Sequence, residues 1–137
     1  MNPCLTASYK AEIPRGLHHE NDRYMLALYG DKCGLSEFTT AYTKAGELQG
    51  AGYPAGGKQL MGMRVEQDGS AAVLTFDDIT FPTVTLRDVC CGLIYNASKQ
   101  NRAVGIVVLA EKTSATNGPL TIYFPEATAA DGVFVID

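Results

Sequence analysis

The sequence predicts an all-β chain: an antiparallel β-sandwich or jelly-roll-like barrel carrying a short N-terminal helical or irregular arm. Three observations carry this expectation. From Leu60 onward, apolar and polar residues alternate in short runs, the period-two signature of half-buried strands. Asp68-Gly69 and Asn117-Gly118 stand between such runs, and both dipeptides tolerate the positive φ that tight hairpins need. No amphipathic helical pattern separates one strand from the next, so a parallel α/β sheet is disfavoured.

The elements follow in order. Residues 1–22 read as an N-terminal arm and residues 23–137 as a single β-sandwich domain. In the arm, Leu5, Tyr9, Ile13 and Leu17 recur at helical spacing. Thr6 or Ser8 is placed to cap a helix, because a short side-chain oxygen can accept a backbone N–H. Pro14 cannot donate a backbone hydrogen bond and disfavours helical geometry at Ile13, so one or two short turns are expected. Tyr24 to Tyr29 is an apolar run closed by Gly30-Asp31 and reads as a buried strand. Ser36 to Thr43 reads as irregular. Gly46 to Gly57 holds five of the 14 glycines plus Pro54 and reads as a mobile loop.

Met61, Met63 and Val65 begin a strand that turns at Asp68-Gly69 and returns over Ala71 to Phe76. Asp77-Asp78 and Phe81-Pro82 are expected to close that unit. Further strands are expected over Thr83 to Leu86, Val89 to Tyr95 and Ala103 to Ala110, the last two joined by the polar loop 96–102. A turn at Asn117-Gly118 leads to a strand through Leu120, Ile122 and Phe124, and Gly132 to Ile136 ends the chain as a strand. Val104 to Leu109 is apolar at both alternating sets of positions, which predicts a central or interface strand.

Composition narrows the function classes. The chain has 137 residues, enough for one domain with its own core, and 46% hydrophobic against 19% charged residues excludes a disordered chain. The net charge of −4 comes without a basic stripe, which argues against nucleic acid as a partner. No apolar run reaches 18 residues, so no membrane-spanning helix and no membrane partner are expected. The opening Met1-Asn2-Pro3-Cys4 has no basic and apolar signal segment, so Cys4, Cys33, Cys90 and Cys91 are expected as reduced thiols.

The motifs that could carry chemistry each lack a part. Gly52-Tyr53-Pro54-Ala55-Gly56-Gly57-Lys58 has P-loop spacing, but Gln59 replaces the magnesium-binding hydroxyl and a strand pattern follows where a helix is needed. His18-His19-Glu20 with Asp22 lacks a third strong metal ligand nearby. Cys33 lies in Asp31-Lys32-Cys33-Gly34, expected as an exposed turn without a nucleophile signature. Asp77-Asp78 on a strand point to opposite faces and cannot act as a pair. The expectation is no catalytic residue, no cofactor, no metal and no small-molecule substrate.

The order of segments resembles a family of small structural proteins of tailed bacteriophages. The resemblance rests on Met25-Leu26-Ala27-Leu28-Tyr29, Thr39-Thr40-Ala41-Tyr42-Thr43, the block Gly46 to Lys58, Phe76-Asp77-Asp78-Ile79-Thr80, Leu93-Ile94-Tyr95-Asn96 and Phe124-Pro125. It covers roughly residues 8 to 136, and the glycine-rich block and Leu93 to Asn96 are its most specific parts. It implies a virion component, in the first place a capsid decoration (cement) protein on the capsid surface. Its partners would be the major capsid protein and further copies of itself, as a trimer or dimer. A tail, baseplate or neck component is the alternative within the family, and a small-ligand-binding β-barrel the alternative outside it. Leu5, Tyr9, Ile13 and Leu17 of the arm and Tyr53 of the loop are the expected partner contacts, as apolar and aromatic side chains at mobile edges make good anchors.

Overall fold

A computed structural model describes residues 4–31, 33–124 and 134–136. The expectations for Pro125 and Gly132, and for the thiol of Cys4, lie outside the described residues and side chains. The chain is mostly β, as the sequence predicts, and its strands form two antiparallel sheets. Their elements are β1 (Cys4–Leu5), α1 (Ala7–Glu12), a 3-10 turn (Ile13–Arg15), β2 (Tyr24–Tyr29), β3 (Lys58–Gln59), β4 (Arg64–Asp68), β5 (Ala71–Thr75), β6 (Ile79–Asn96), β7 (Arg102–Ile122) and β8 (Phe134–Ile136). The larger sheet has the order β1-β7-β6-β2-β3 and the smaller one β4-β5-β8.

The two faces of the larger sheet are both buried. Leu26, Leu28, Ile94 and Val107 face Leu74 and Phe76 at the smaller sheet, and Phe81, Val84, Leu86, Leu120 and Ile122 extend this core along β6 and β7. Ala27, Tyr29, Leu93, Tyr95, Ala103 and Ile106 occupy the opposite face and pack with Cys33, Leu35 and Tyr42 of the irregular segment after β2. Leu26 and Leu28 therefore alternate with Ala27 and Tyr29 between two cores, which is why β2 is apolar without a break. The central position expected for Val104 to Leu109 holds, since β7 lies between β1 and β6.

The expected strand breaks after Phe81-Pro82 and at Asn117-Gly118 do not occur; β6 and β7 run through them as one long ribbon. Each breaking residue falls at a register shift instead. Between the pairs Phe81–Leu120 and Val84–Gly118, Pro82 and Pro119 stand at the same gap, where no ladder N–H is required. Asp88 (φ 54°) lies between the pairs Leu86–Ala115 and Val89–Thr113, and its N–H donates to Ser114 Oγ at 3.0 Å. Asn117 (φ 48°) donates its N–H to Thr85 Oγ1 at 3.0 Å. These are β-bulges, in which an extra residue is absorbed without ending the strand.

The first hairpin strand also starts later than the alternation suggests. Gly62 has φ 68°, which interrupts extended backbone, and β4 begins at Arg64. The β4–β5 turn forms one residue beyond Asp68-Gly69: Asp68 pairs with Ala71 across Gly69 and Ser70, with Gly69 at φ 63°. Positive φ at the first central residue suits the right-handed twist of the strands.

The arm is part of the fold. Cys4 and Leu5 pair with Ile106 and Gly105, at the point where β7 bulges between Ala103 and Gly105. The free carbonyl of Val104 accepts the N–H of Thr6 at 2.9 Å. Thr6 caps α1 by accepting the N–H of Tyr9 through its hydroxyl, and Pro14 sits in the 3-10 turn that ends at Gly16 in the left-handed region.

Candidate functional site

Two side-chain clusters flank the larger sheet, one in the glycine-rich loop and one beneath the arm. In the loop, Glu47 is the hub. Its Oε1 accepts the hydroxyl of Tyr42 at 2.5 Å, and its Oε2 accepts the hydroxyl of Tyr53 at 2.5 Å and the N–H of Gly56 at 3.0 Å. The Tyr53 oxygen also accepts the N–H of Leu28 at 3.0 Å, tying the cluster to β2. Tyr42 stacks on Tyr95 with ring centroids 4.7 Å apart, and Tyr95 donates to the carbonyl of Gly56 at 2.5 Å. Burial, and then the bond to the Glu47 carboxylate, push the phenols of Tyr42 and Tyr53 well above their ordinary range. They stay protonated donors, and both carboxylate oxygens are occupied.

These bonds tie the loop, expected to be mobile, to β2 and β6. Its glycines are points of close approach. A Cβ at Gly50 or Gly52 would run into the carbonyl oxygens of Thr85 and Thr83 on β6, and one at Gly57 into that of Leu26 on β2. The P-loop resemblance dissolves in the same geometry: Lys58 lies in β3, and its Nζ donates to the carbonyl of Thr80 at 2.5 Å. A shallow depression of about 190 Å³ lies beside Glu47, Leu48 and Tyr53.

Beneath the arm, the buried carboxylate of Glu12 receives His18 Nε2 at 2.8 Å and Arg102 Nη1 at 2.9 Å. Asn96 Nδ2 lies 3.1 Å from His18 Nδ1 and 2.9 Å from Asp22 Oδ2, and Lys99 Nζ reaches both oxygens of Asp22 at 3.0 and 2.9 Å. Burial opposes the charge on Asp22, but the bonds from Asn96, Lys99 and the N–H of His19 outweigh it and hold the carboxyl below its ordinary value. The network binds the arm to the β6–β7 hairpin. His18 and Asp22 do come close, bridged by the Asn96 amide. Among the described residues, no three His, Cys, Asp or Glu converge in a metal-binding group.

The expected partner contacts do not form one exposed face. Leu5 and Tyr9 are buried in the chain's own core, so they are corrected from docking residues to packing residues. Leu17 is half-buried beside Lys99 and Arg102, and Ile13 is 36% exposed. Tyr53 is half-buried, with its ring 5.8 Å from that of Phe81 and its hydroxyl engaged as above. Cys33, expected on an exposed turn, is buried, with its sulfur 3.4 Å from that of Cys91. Asp77 and Asp78 serve separate partners, Arg64 at 2.7 Å and the N–H of Phe124 at 2.7 Å.

Among the described residues, the large apolar side chains exposed besides Ile13 are Phe38 at 74%, Met61 at 62%, Val65 at 50% and Tyr123 at 75%. Phe38 follows Leu35 in the segment covering one face of the larger sheet, whereas Val65 lies on β4 at the other. Nothing in the sequence separates these four from the buried apolar residues around them, because Val65 and Met61 share the alternation of a half-buried strand. Searches with models of protein families, among curated proteins and among solved structures find no match for this chain.

Proposed function

We propose that this chain is a structural protein of a bacteriophage particle, a capsid decoration protein that seats on the lattice of the major capsid protein. The observation that carries this reading is the set of exposed apolar side chains, Phe38, Met61, Val65 and Tyr123, on a scaffold whose loops and arm are hydrogen-bonded down. Full burial of such a side chain stabilises an interface by about 1.5–3 kcal/mol before association costs. Anchors on opposite sides of the domain suit a protein wedged between neighbouring subunits, and many copies on one shell sum modest energies. The segment order supports the same reading. The acidic balance suits an outer surface better than one facing DNA. A trimer or dimer matches the rotation axes that a shell offers.

Copy number per purified particle tests the proposal. Hundreds of copies per particle are expected. A few to several dozen would place the protein in the tail, baseplate or neck, and failure to co-purify with any particle would overturn the reading. Phe38→Ser and Tyr123→Ser, both at exposed positions, should leave the isolated domain folded and weaken its retention on particles.

A further inference from the structure

We infer that Cys33 and Cys91 form a reversible disulfide, a modification site that fixes the segment after β2 onto the second face of the larger sheet. The two sulfurs are 3.4 Å apart and 58 residues apart in sequence. A disulfide bond is about 2.05 Å long, so the sulfurs must close by roughly 1.4 Å. The two sides of the pair differ in freedom. Cys91 is set by the ladder, paired with Tyr29 on β2 and Val108 on β7. Cys33 lies outside any strand, and its neighbour Gly34 has φ 72° with open space around its Cβ position. The segment can therefore yield where the strand cannot. Gly46 packs directly against the Cys33 backbone, where an added Cβ would lie 2.7 Å from the Cys33 Cα.

The oxidant is a small-molecule disulfide. Cys33, at 7% exposed the more accessible of the pair against 2% for Cys91, attacks it first as the thiolate. One S–S bond breaks, one small thiol leaves with the proton that Cys33 gave up, and a mixed disulfide remains on Cys33. Cys91, once deprotonated, attacks the Cys33 sulfur and expels the second small thiol, which carries the second proton. Two electrons pass from the two protein thiols to the small disulfide, which ends as two thiols. Burial pushes the Cys91 thiol up, so little of it is thiolate at neutral pH and the second step is the slower one. Cys90, whose sulfur donates to the carbonyl of Asp88 at 3.4 Å, is not the partner.

The test uses the full chain with Cys4→Ser and Cys90→Ser, so that only Cys33 and Cys91 remain. The protein is incubated with glutathione disulfide, quenched in acid, and labelled with a maleimide in denaturant. Loss of both labels, a Cys33–Cys91 cross-linked peptide by mass spectrometry, and a Tm rise of roughly 5–15 °C reversed by dithiothreitol are expected. Two labels retained after a day, or glutathione left on Cys33 with no cross-link, would overturn the inference. The unmodified chain is run in parallel, and a cross-link there from Cys91 to Cys4 or Cys90 would equally overturn it. Cys33→Ser, which changes only the segment outside the strands, should abolish the thermal shift.

Discussion

Leu5→Ala separates an arm that belongs to the core from one that is free to dock. Leu5 is 3% exposed and packs in the larger core, with its backbone paired to Gly105. Truncating a buried leucine costs about 2–5 kcal/mol, combining lost transfer energy with the cavity left behind. For a chain of 137 residues, each kcal/mol moves Tm by about 3–4 °C. The expected fall is therefore about 6–20 °C by differential scanning calorimetry. Ile13→Ala, at a position 36% exposed, is the matched control and should move Tm by no more than about 3 °C. Deleting residues 1–17 removes Leu5, Tyr9 and the Glu12 carboxylate that pairs His18 and Arg102. The summed loss approaches the whole stability of a domain, about 5–15 kcal/mol, and the truncated chain should not fold. If Leu5→Ala melted within 3 °C of the parent, or if the truncated chain gave a cooperative transition, the packing role of the arm would be refuted.

Gly57→Ala should destabilise by several kcal/mol, about 3 or more, because φ is 87° and the added Cβ meets the Leu26 carbonyl; a soluble variant with parental Tm would contradict that close approach. Tyr53→Phe leaves Glu47 Oε2 with the Gly56 N–H and leaves the Leu28 N–H without its acceptor, and should cost about 1–3 kcal/mol in urea unfolding. Asp22 has its carboxyl held below the ordinary 3.8, so its contribution is fully present above that value and is lost as pH falls through the lowered folded value. Acid unfolding below about pH 4 should be shallower in Asp22→Asn, and an unchanged acid limb would show that Asp22 carries none of it. Lys58→Ala should leave nucleotide binding undetectable, as in the parent; measurable ATP affinity lost on that change would reinstate the phosphate loop.

Much of the fold could be read from residues because it depends on local periodicity. Tyr24 to Tyr29 has its bounds marked by Gly30 and Asp31, and the β4–β5 hairpin is off by one residue at its turn. The continuity of β6 and β7 could not be read in the same way. Pro82, Asp88 and Asn117 signal breaks in any single chain, and only the partner strand, with Pro119, Ser114 and Thr85 opposite, converts them into bulges. The glycines of the loop look like freedom in one dimension and act as contact in three. The Glu47 and Glu12 clusters had weaker signals still, since Tyr42, Tyr53 and Tyr95, or Glu12, Asn96 and Arg102, meet only after the sheet has formed. Burial misled the choice of partner contacts: an apolar helix face looks the same whether it meets its own sheet or another protein.

The pairing of β1 with β7 and of β2 with β6 has a consequence for how the chain reaches this state. β2 waits for residues 91–96, and β1 for residues 105–106. Contacts so distant in sequence form slowly, because the loop must close before any pairing rewards it. During synthesis, Tyr-Met-Leu-Ala-Leu-Tyr emerges about 65 residues before its partner and carries no charge and no proline. A six-residue segment of that kind is a ready template for pairing between chains. Accumulation of folded protein should then be governed by the emergence of β6 and not by the stability of the finished sandwich. Slowed translation or higher temperature before that point would divert chains into aggregates, whereas finished molecules, with β2 enclosed between β6 and β3, would be indifferent to the same conditions.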